Sequence, residues 1–237
     1  MSQVISSLSR SVIPAPMAGG PTTPELVHAA HAVGSFGTLG LGSASIDSAR
    51  TQIEQCAGIP FGVNLFCPQD PLLEPYLASA RELAQAESQP LPEPDYSFGF
   101  EEKLELALRG GARVVWSMFG TLTPEQIERI HSAGAEAWTT VTTPAEATAA
   151  ARRGVDALCV QGPAAGGHRG TWDLAATPDS RDLEELVSDV HTAAPDLPLI
   201  AAGGLRTAAD VANAMSWDGV GACSCGSAFL LTEEAGT

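Results

Sequence analysis

The sequence predicts a parallel (β/α)8 barrel, and three observations predict it. Short apolar, strand-like runs alternate about eight times with longer Ala-, Leu- and Glu-rich stretches along the chain. Glycine and proline flank several of the runs, as tight strand-to-helix turns require. The residues best suited to chemistry fall just after strand candidates, where barrels of this class keep their sites. An open doubly wound sheet is the structural alternative; about eight βα units favour the closed form.

The strand candidates are Val12 to Ala15, Gly37 to Leu41, Phe61 to Leu65, Arg113 to Ser117, Ala137 to Val141, Asp156 to Val160, Leu199 to Ala202 and Gly219 to Cys223. Between them lie helix candidates: Pro24 to Val33, Ser45 to Cys56, Pro71 to Glu87, Phe98 to Arg109, Thr123 to Ala133, Pro144 to Arg153, Asp179 to Ala193 and Thr207 to Met215. Several open with Thr-Pro or with Ser or Asp, the expected N-cap followed by a proline whose missing N–H costs nothing in the first turn. Glu87 to Asp95 carries Pro90, Pro92 and Pro94 in a polar setting and reads as a surface loop. Residues 1–237 read as one domain, short of a C-terminal extension: little sequence follows the eighth strand to cover it.

Composition narrows the function classes. With a net charge of −16 and only 12 basic residues, none clustered, the chain is a poor partner for nucleic acid. An anionic cofactor would have to be held by backbone N–H groups and helix dipoles. No apolar run approaches the roughly 18 residues of a membrane span. The N-terminus lacks a basic segment followed by an apolar one, so no signal peptide is read. Cys56, Cys67, Cys159, Cys223 and Cys225 are odd in number and form no C-x-x-C pair, which points to reduced thiols, a cytoplasmic location and no metal site. Cys223 and Cys225 are read as small residues on opposite faces of the last strand.

The candidate functional residues sit at strand ends. Gln161-Gly162-Pro163-Ala164-Ala165-Gly166-Gly167-His168-Arg169-Gly170 follows the sixth strand. Its glycines permit sharp turns and close approach of backbone to a ligand, and an imidazole held there exchanges protons near neutral pH. Arg169 is placed either to clamp an anionic substrate or to stand in solvent. His28, His31, His131 and His191 fall in helix candidates and read as surface or packing residues. Ala15 to Thr22 after the first strand, with Met17, Ala18 and Gly19, either lets a flat ring lie against the backbone or is a plain βα turn, and Asn64 at the end of the third strand either offers a heterocycle a donor and an acceptor or caps a turn. Ala202-Gly203-Gly204 and Gly226-Ser227 follow the seventh and eighth strands, the usual phosphate position of this barrel class. Neither loop matches a nucleotide-triphosphate or dinucleotide motif.

With these residues in place, the chain resembles the nitronate monooxygenases, formerly called 2-nitropropane dioxygenases. The resemblance rests on Ala15-Pro16-Met17-Ala18-Gly19-Gly20, Pro60-Phe61-Gly62-Val63-Asn64, Gly154 through Gly170, Ile200-Ala201-Ala202-Gly203-Gly204 and Gly226-Ser227-Ala228-Phe229-Leu230-Leu231. It implies bound FMN, with Met17, Ala18 and Gly19 against its ring, Asn64 and Gln161 at the ring's polar edge, and Ala202, Gly203, Gly204, Gly226 and Ser227 at its phosphate. It implies His168 as the catalytic histidine, alkyl nitronates or neutral nitroalkanes and dioxygen as substrates, and carbonyl compound and nitrite as products. A homo-oligomer is a further expectation. Thr140 stands where many relatives carry a lysine. Two rival readings share the barrel: a flavin-dependent enoyl-acyl-carrier-protein reductase, and a flavin- or phosphate-binding barrel without catalysis.

Overall fold

A computed structural model describes residues 2–91 and 93–236. Its elements run α1 (Gln3–Ser7), β1 (Val12–Pro14), α2 (Pro24–Ala32), β2 (Thr38–Gly40), α3 (Ile46–Gln55), β3 (Gly62–Phe66), α4 (Glu74–Ala86), α5 (Phe100–Arg109) and β4 (Val114–Met118). They continue with α6 (Pro124–Ser132), β5 (Glu136–Val141), α7 (Pro144–Arg153), β6 (Ala157–Gln161), α8 (Leu183–Ala193), β7 (Leu199–Ala202), α9 (Ala208–Ala214), β8 (Val220–Cys225) and a 3-10 turn at Ser227–Phe229.

The strands form one parallel sheet in the order β1-β8-β7-β6-β5-β4-β3-β2. The sheet curls until its outer members nearly meet, so the expected barrel is present with a seam between β1 and β2. Side chains stitch that seam. The Ser35 hydroxyl donates to the Val12 carbonyl. At the other end, a Cβ on Gly40 would fall 2.7 Å from the carbonyl carbon of Met17, so only glycine lets the two backbones approach.

Strand alternation sorts the interior into two layers. Leu39, Val63, Leu65, Val115, Leu158, Val160 and Ala201 face outward and pack with helix residues such as Leu104, Ile127, Ile130 and Leu186. Ile13, Trp116, Trp138, Cys159, Ile200 and Ala222 face inward and fill the barrel. Trp116 and Trp138 meet edge to face at 5.5 Å, contributing about 0.5–1.5 kcal/mol beyond the area they bury. Phe36 closes against Trp138 from below at 5.8 Å.

The helices start where the sequence signals them. Thr23, Thr123, Thr143 and Thr207 each accept a hydrogen bond from a first-turn N–H, and the last three form capping boxes with Gln126, Glu146 and Asp210. Three starts differ from expectation. Phe98 and Gly99 hold positive φ of 52° and 61°, which delays α5 to Phe100. Asp179 pairs with Arg181 instead of capping, and Asp182 takes the cap of α8. The helix over Pro71 to Glu87 begins at Glu74, with Pro75 in its first turn where proline is tolerated. In the Glu87 to Asp95 segment the described residues are exposed and without regular structure beyond a turn; Pro92 lies outside the described residues.

Helix α1 is an addition that the sequence did not signal. Five residues carry no helical period, and its stability comes from contact. Ile5 joins the inner layer, and Glu136 on β5 accepts from the N–H groups of Gln3 and Val4 at 2.7 and 2.9 Å, capping the helix N-terminus. Cys223 and Cys225 also differ from expectation. Two residues apart on an alternating strand, they share a face, and both pack outward toward the helices.

All five cysteines are buried and free. Loss of hydration pushes the Cys56, Cys67 and Cys223 thiols up to about 12, and raises Cys159 and Cys225 as well. A thiol at about 12 rather than 9.0 presents about 10³-fold less thiolate at pH 8. The native protein is therefore expected to resist a thiol-specific disulfide reagent at pH 8, with all five sites reacting once the chain is unfolded in guanidinium. Rapid stoichiometric reaction of the native protein would contradict this packing.

Candidate active site

A cavity of about 460 Å³ opens at the C-terminal ends of the strands. Parallel strands all deliver their following loops to this end, so residues distant in sequence converge here. A larger groove of about 750 Å³ lies at the opposite end, between α1 and the strand entries, among Ser7, His31, Ser35 and Arg113. No candidate site residue lines it, so the chemistry is assigned to the smaller cavity.

The cavity floor is the last inward layer of the strands. Asn64, Trp116, Thr140, Cys159, Gln161, Ala202 and Ser224 all line it. Register places Asn64 beside Trp116, Thr140 beside Cys159, Gln161 beside Ala202, and Ala202 beside Ser224. Asn64 Nδ2 donates to the Trp116 carbonyl at 3.0 Å, which leaves Oδ1 for a ligand. Trp116 Nε1 donates to Thr140 Oγ1 at 2.9 Å. An indole N–H only donates, so Thr140 accepts there and keeps its own proton for another partner.

The β7–β8 side presents free backbone N–H groups, the chemistry of an anion cradle. Gly203, Gly204, Gly226 and Ser227 border it. Among the described residues the N–H groups of Gly203, Gly204 and Gly226 find no acceptor. Gly203 holds φ of +114°, and a Cβ there would sit 3.0 Å from the Ala165 nitrogen, so glycine is required on both counts. Arg206 adds a cationic side chain to the lining, and among the described residues no aspartate or glutamate lines the cavity. A chain of net charge −16 thus keeps its carboxylates away from this one concavity.

The opposite side is apolar. Phe66, Met118 and Phe119 form it, with Phe66 and Phe119 edge to face at 4.8 Å. His168 stands exposed at the mouth, its ring edge-on to Phe119 at 6.3 Å. Among the described residues neither ring nitrogen has a hydrogen-bond partner, so both face solvent or a ligand.

Most of the expected site residues are brought together: Met17, Ala18, Asn64, Gln161, His168, Ala202, Gly203, Gly204, Gly226 and Ser227 all line the cavity. Two do not. Gly19 is exposed in the turn after β1, where its φ of +85° serves the turn. Arg169 turns away from the cavity, and its Nη2 donates to the Asp179 carbonyl at 2.6 Å. Sequence reasoning missed Phe66, Trp116, Met118, Cys159 and Ser224. Counting in twos from Asn64 would have given Phe66, and Trp116 and Met118 share one face of β4 in the same way.

Comparison with known proteins agrees with this geometry. The family model described as nitronate monooxygenase matches residues 3–237. A protein from Paraburkholderia phytofirmans named nitronate monooxygenase is 31% identical over 96% of this chain and 65% of its own length. A probable nitronate monooxygenase from Staphylococcus saprophyticus is 30% identical over 95% of this chain and 66% of its own length. The chain therefore spans about two thirds of these curated relatives. Among solved structures, a nitroalkane oxidase from Streptomyces ansochromogenes superposes with a TM-score of 0.87 and 34% identity, over all of this chain and 70% of that one. FabK from Thermotoga maritima reaches a TM-score of 0.72 at 22% identity, over 98% and 62% of the two chains, a likeness of fold alone. The match over nearly the whole chain shows that it belongs to the nitronate monooxygenase family.

Proposed function

We propose that the cavity holds FMN and that the protein oxidises alkyl nitronates, or nitroalkanes after loss of an α-proton, to a carbonyl compound and nitrite with dioxygen as the oxidant. One observation carries this reading: a cavity with an anion cradle on one side, no carboxylate in its lining, and an unpartnered imidazole at its mouth.

The residues fit the cofactor. A volume of about 460 Å³ lies within the usual ligand-pocket range of roughly 300–1,000 Å³. The free N–H groups of Gly203, Gly204 and Gly226, with Arg206, suit a phosphate. Met17 and Ala18 give a small apolar surface for a flat ring, and Asn64 Oδ1 accepts from a ring N–H. When bound, the flavin supplies the redox chemistry: it takes electrons from the substrate and passes them to dioxygen.

The chain's own contribution is position and charge. A nitro group acidifies the neighbouring C–H, because the carbanion spreads onto the nitro oxygens. His168 takes that proton from a neutral nitroalkane. With a preformed nitronate no base is needed, and the imidazole orients the anion. Phe66, Met118 and Phe119 exclude water around the apolar part of the substrate. The buried free thiols support a reducing, cytoplasmic setting.

The purified protein is expected to be yellow, and its colour to bleach on anaerobic mixing with propionate 3-nitronate. Rapid bleaching by NADH with none by nitronate would replace this reading with the reductase. For His168→Ala we expect FMN retained and turnover of nitroethane lower by roughly 10²-fold or more, with smaller loss on a preformed nitronate. Equal activity on nitroethane would remove the histidine from the base role. Ser227→Asp adds a like charge to the cradle and should weaken FMN binding by roughly tenfold or more, read by fluorescence titration. Unchanged affinity would move the phosphate elsewhere.

A further inference from the structure

We propose that Gln161 is the positioning residue that sets the His168 loop, an inference that rests on the role given to His168 above. Gln161 ends β6 and points inward at the cavity floor, buried. Both ends of its amide are engaged by one short stretch of backbone. Its Nε2 donates to the His168 carbonyl at 3.2 Å, and its Oε1 accepts from the Gly170 N–H at 2.6 Å. A carbonyl only accepts and a backbone N–H only donates, so the two contacts fix which end of the amide is which. The side chain therefore grips the residues on either side of Arg169 as a two-pronged latch.

The surroundings show that the grip is specific. Gly170 lies so close to the latch that a Cβ there would fall 2.9 Å from Met118 Cε, 3.1 Å from Gln161 Oε1 and 3.1 Å from Thr140 Cγ2. Further out, Trp172 Nε1 donates to the Thr140 carbonyl at 3.0 Å, and its backbone N–H donates to Glu146 at 3.0 Å. Arg169 braces the loop against the Asp179 carbonyl. These contacts hold the outer limb of the loop. On the inner limb, Ala165 donates to the Gly162 carbonyl at 3.2 Å, a bond within the loop itself. Gln161 is the link from the backbone of His168 to the barrel floor.

Function follows from what His168 lacks. Catalytic histidines are commonly oriented by a hydrogen bond to one ring nitrogen. Here the ring is free, so the placement of the imidazole derives from its backbone and from the edge of Phe119. The backbone is what Gln161 holds. A flavin acceptor can still use the second proton of Nε2, but the loop dictates the amide's orientation.

The test uses the FMN-loaded protein with Gln161→Glu and Gln161→Ala. Glutamate keeps the shape and the Gly170 contact but turns the His168 contact into a repulsion between oxygens. Alanine releases both. We read the rate at which diethyl pyrocarbonate modifies His168, resolved by peptide mass spectrometry, with exposed His31 at the far end of the barrel as internal control. Labelling of His168 is expected to change by roughly threefold or more in both variants while His31 stays constant, as local release of the loop requires. With nitroethane, kcat should fall roughly 10- to 100-fold with little change in KM. A large loss of FMN affinity with His168 labelling and kcat at saturating FMN unchanged would make Gln161 a cofactor ligand and overturn the latch. Unchanged labelling in both variants would overturn it as well. The labelling needs no turnover, so it stands even if nitronates prove not to be the substrate.

Discussion

Two buried indoles carry the site. Trp116 and Trp138 fill the middle of the barrel and are among its largest fully buried side chains. Trp116, packed on Trp138 beneath it, is part of the cavity floor, and the floor sets the height at which a ligand rests. Trp116 also ties the floor together laterally, giving its carbonyl to Asn64 and its indole N–H to Thr140. A smaller residue at 116 would lose packing together with the indole anchor to Thr140, while its backbone carbonyl would still hold Asn64. The cost of such a cavity is typically about 3–5 kcal/mol for an aromatic, a large part of a domain's stability. Core and site are thus one structure here, separated only by one layer of the strand pleat.

Charge is arranged by exclusion. The chain carries 28 acidic and 12 basic residues, yet its acids serve helix starts and surface pairs instead of the cavity. Glu146 and Asp210 complete capping boxes, Glu101 and Glu105 face Arg129, and Glu136 caps α1. Placing the acids on the helices lets an overall anionic protein offer a neutral-to-cationic pocket. Backbone N–H groups then suffice for an anion, because they are fixed in direction and carry no mobile counter-charge. Lys103 is consistent with this economy. Burial lowers its pKa, and it spends its charge on the Gly42 carbonyl at 2.9 Å, outside the cavity lining.

What the sequence disclosed and what it withheld divide along a physical line. Strands, helices and the glycine loops are local: Thr-Pro starts, apolar runs and paired glycines specify them within a few residues. Met17, Asn64, His168, Gly203 and Gly226 could therefore be placed at strand ends and so at one mouth. Side-chain partners are not local. That Arg169 turns to Asp179, or that Gly19 serves its own turn, depends on where a loop ten residues on, or an adjoining turn, happens to lie. Helix α1 was hard to see for a related reason: Ser2 caps it locally, but the N–H groups of Gln3 and Val4 depend on Glu136, far along the chain. The misreading of Cys223 and Cys225 was of another kind, an error in counting the pleat, which the sequence alone could have corrected.

The histidine loop shows why backbone anchoring matters at a site of this type. Glycines on both sides of His168 grant the loop the turns it needs, but each also adds conformational freedom that must be removed before the imidazole can face a substrate. In a site lined by carboxylates, an acid would orient the ring, and its charge would then oppose both an anionic cofactor and an anionic nitronate. A neutral amide avoids that conflict. Gln161 can restrain the loop through two backbone contacts without bringing charge into the cavity. For the proposed cofactor and substrate, the absence of acids among the described lining residues and the amide beneath the histidine serve one end, letting an anion approach an imidazole held in place by neutral groups.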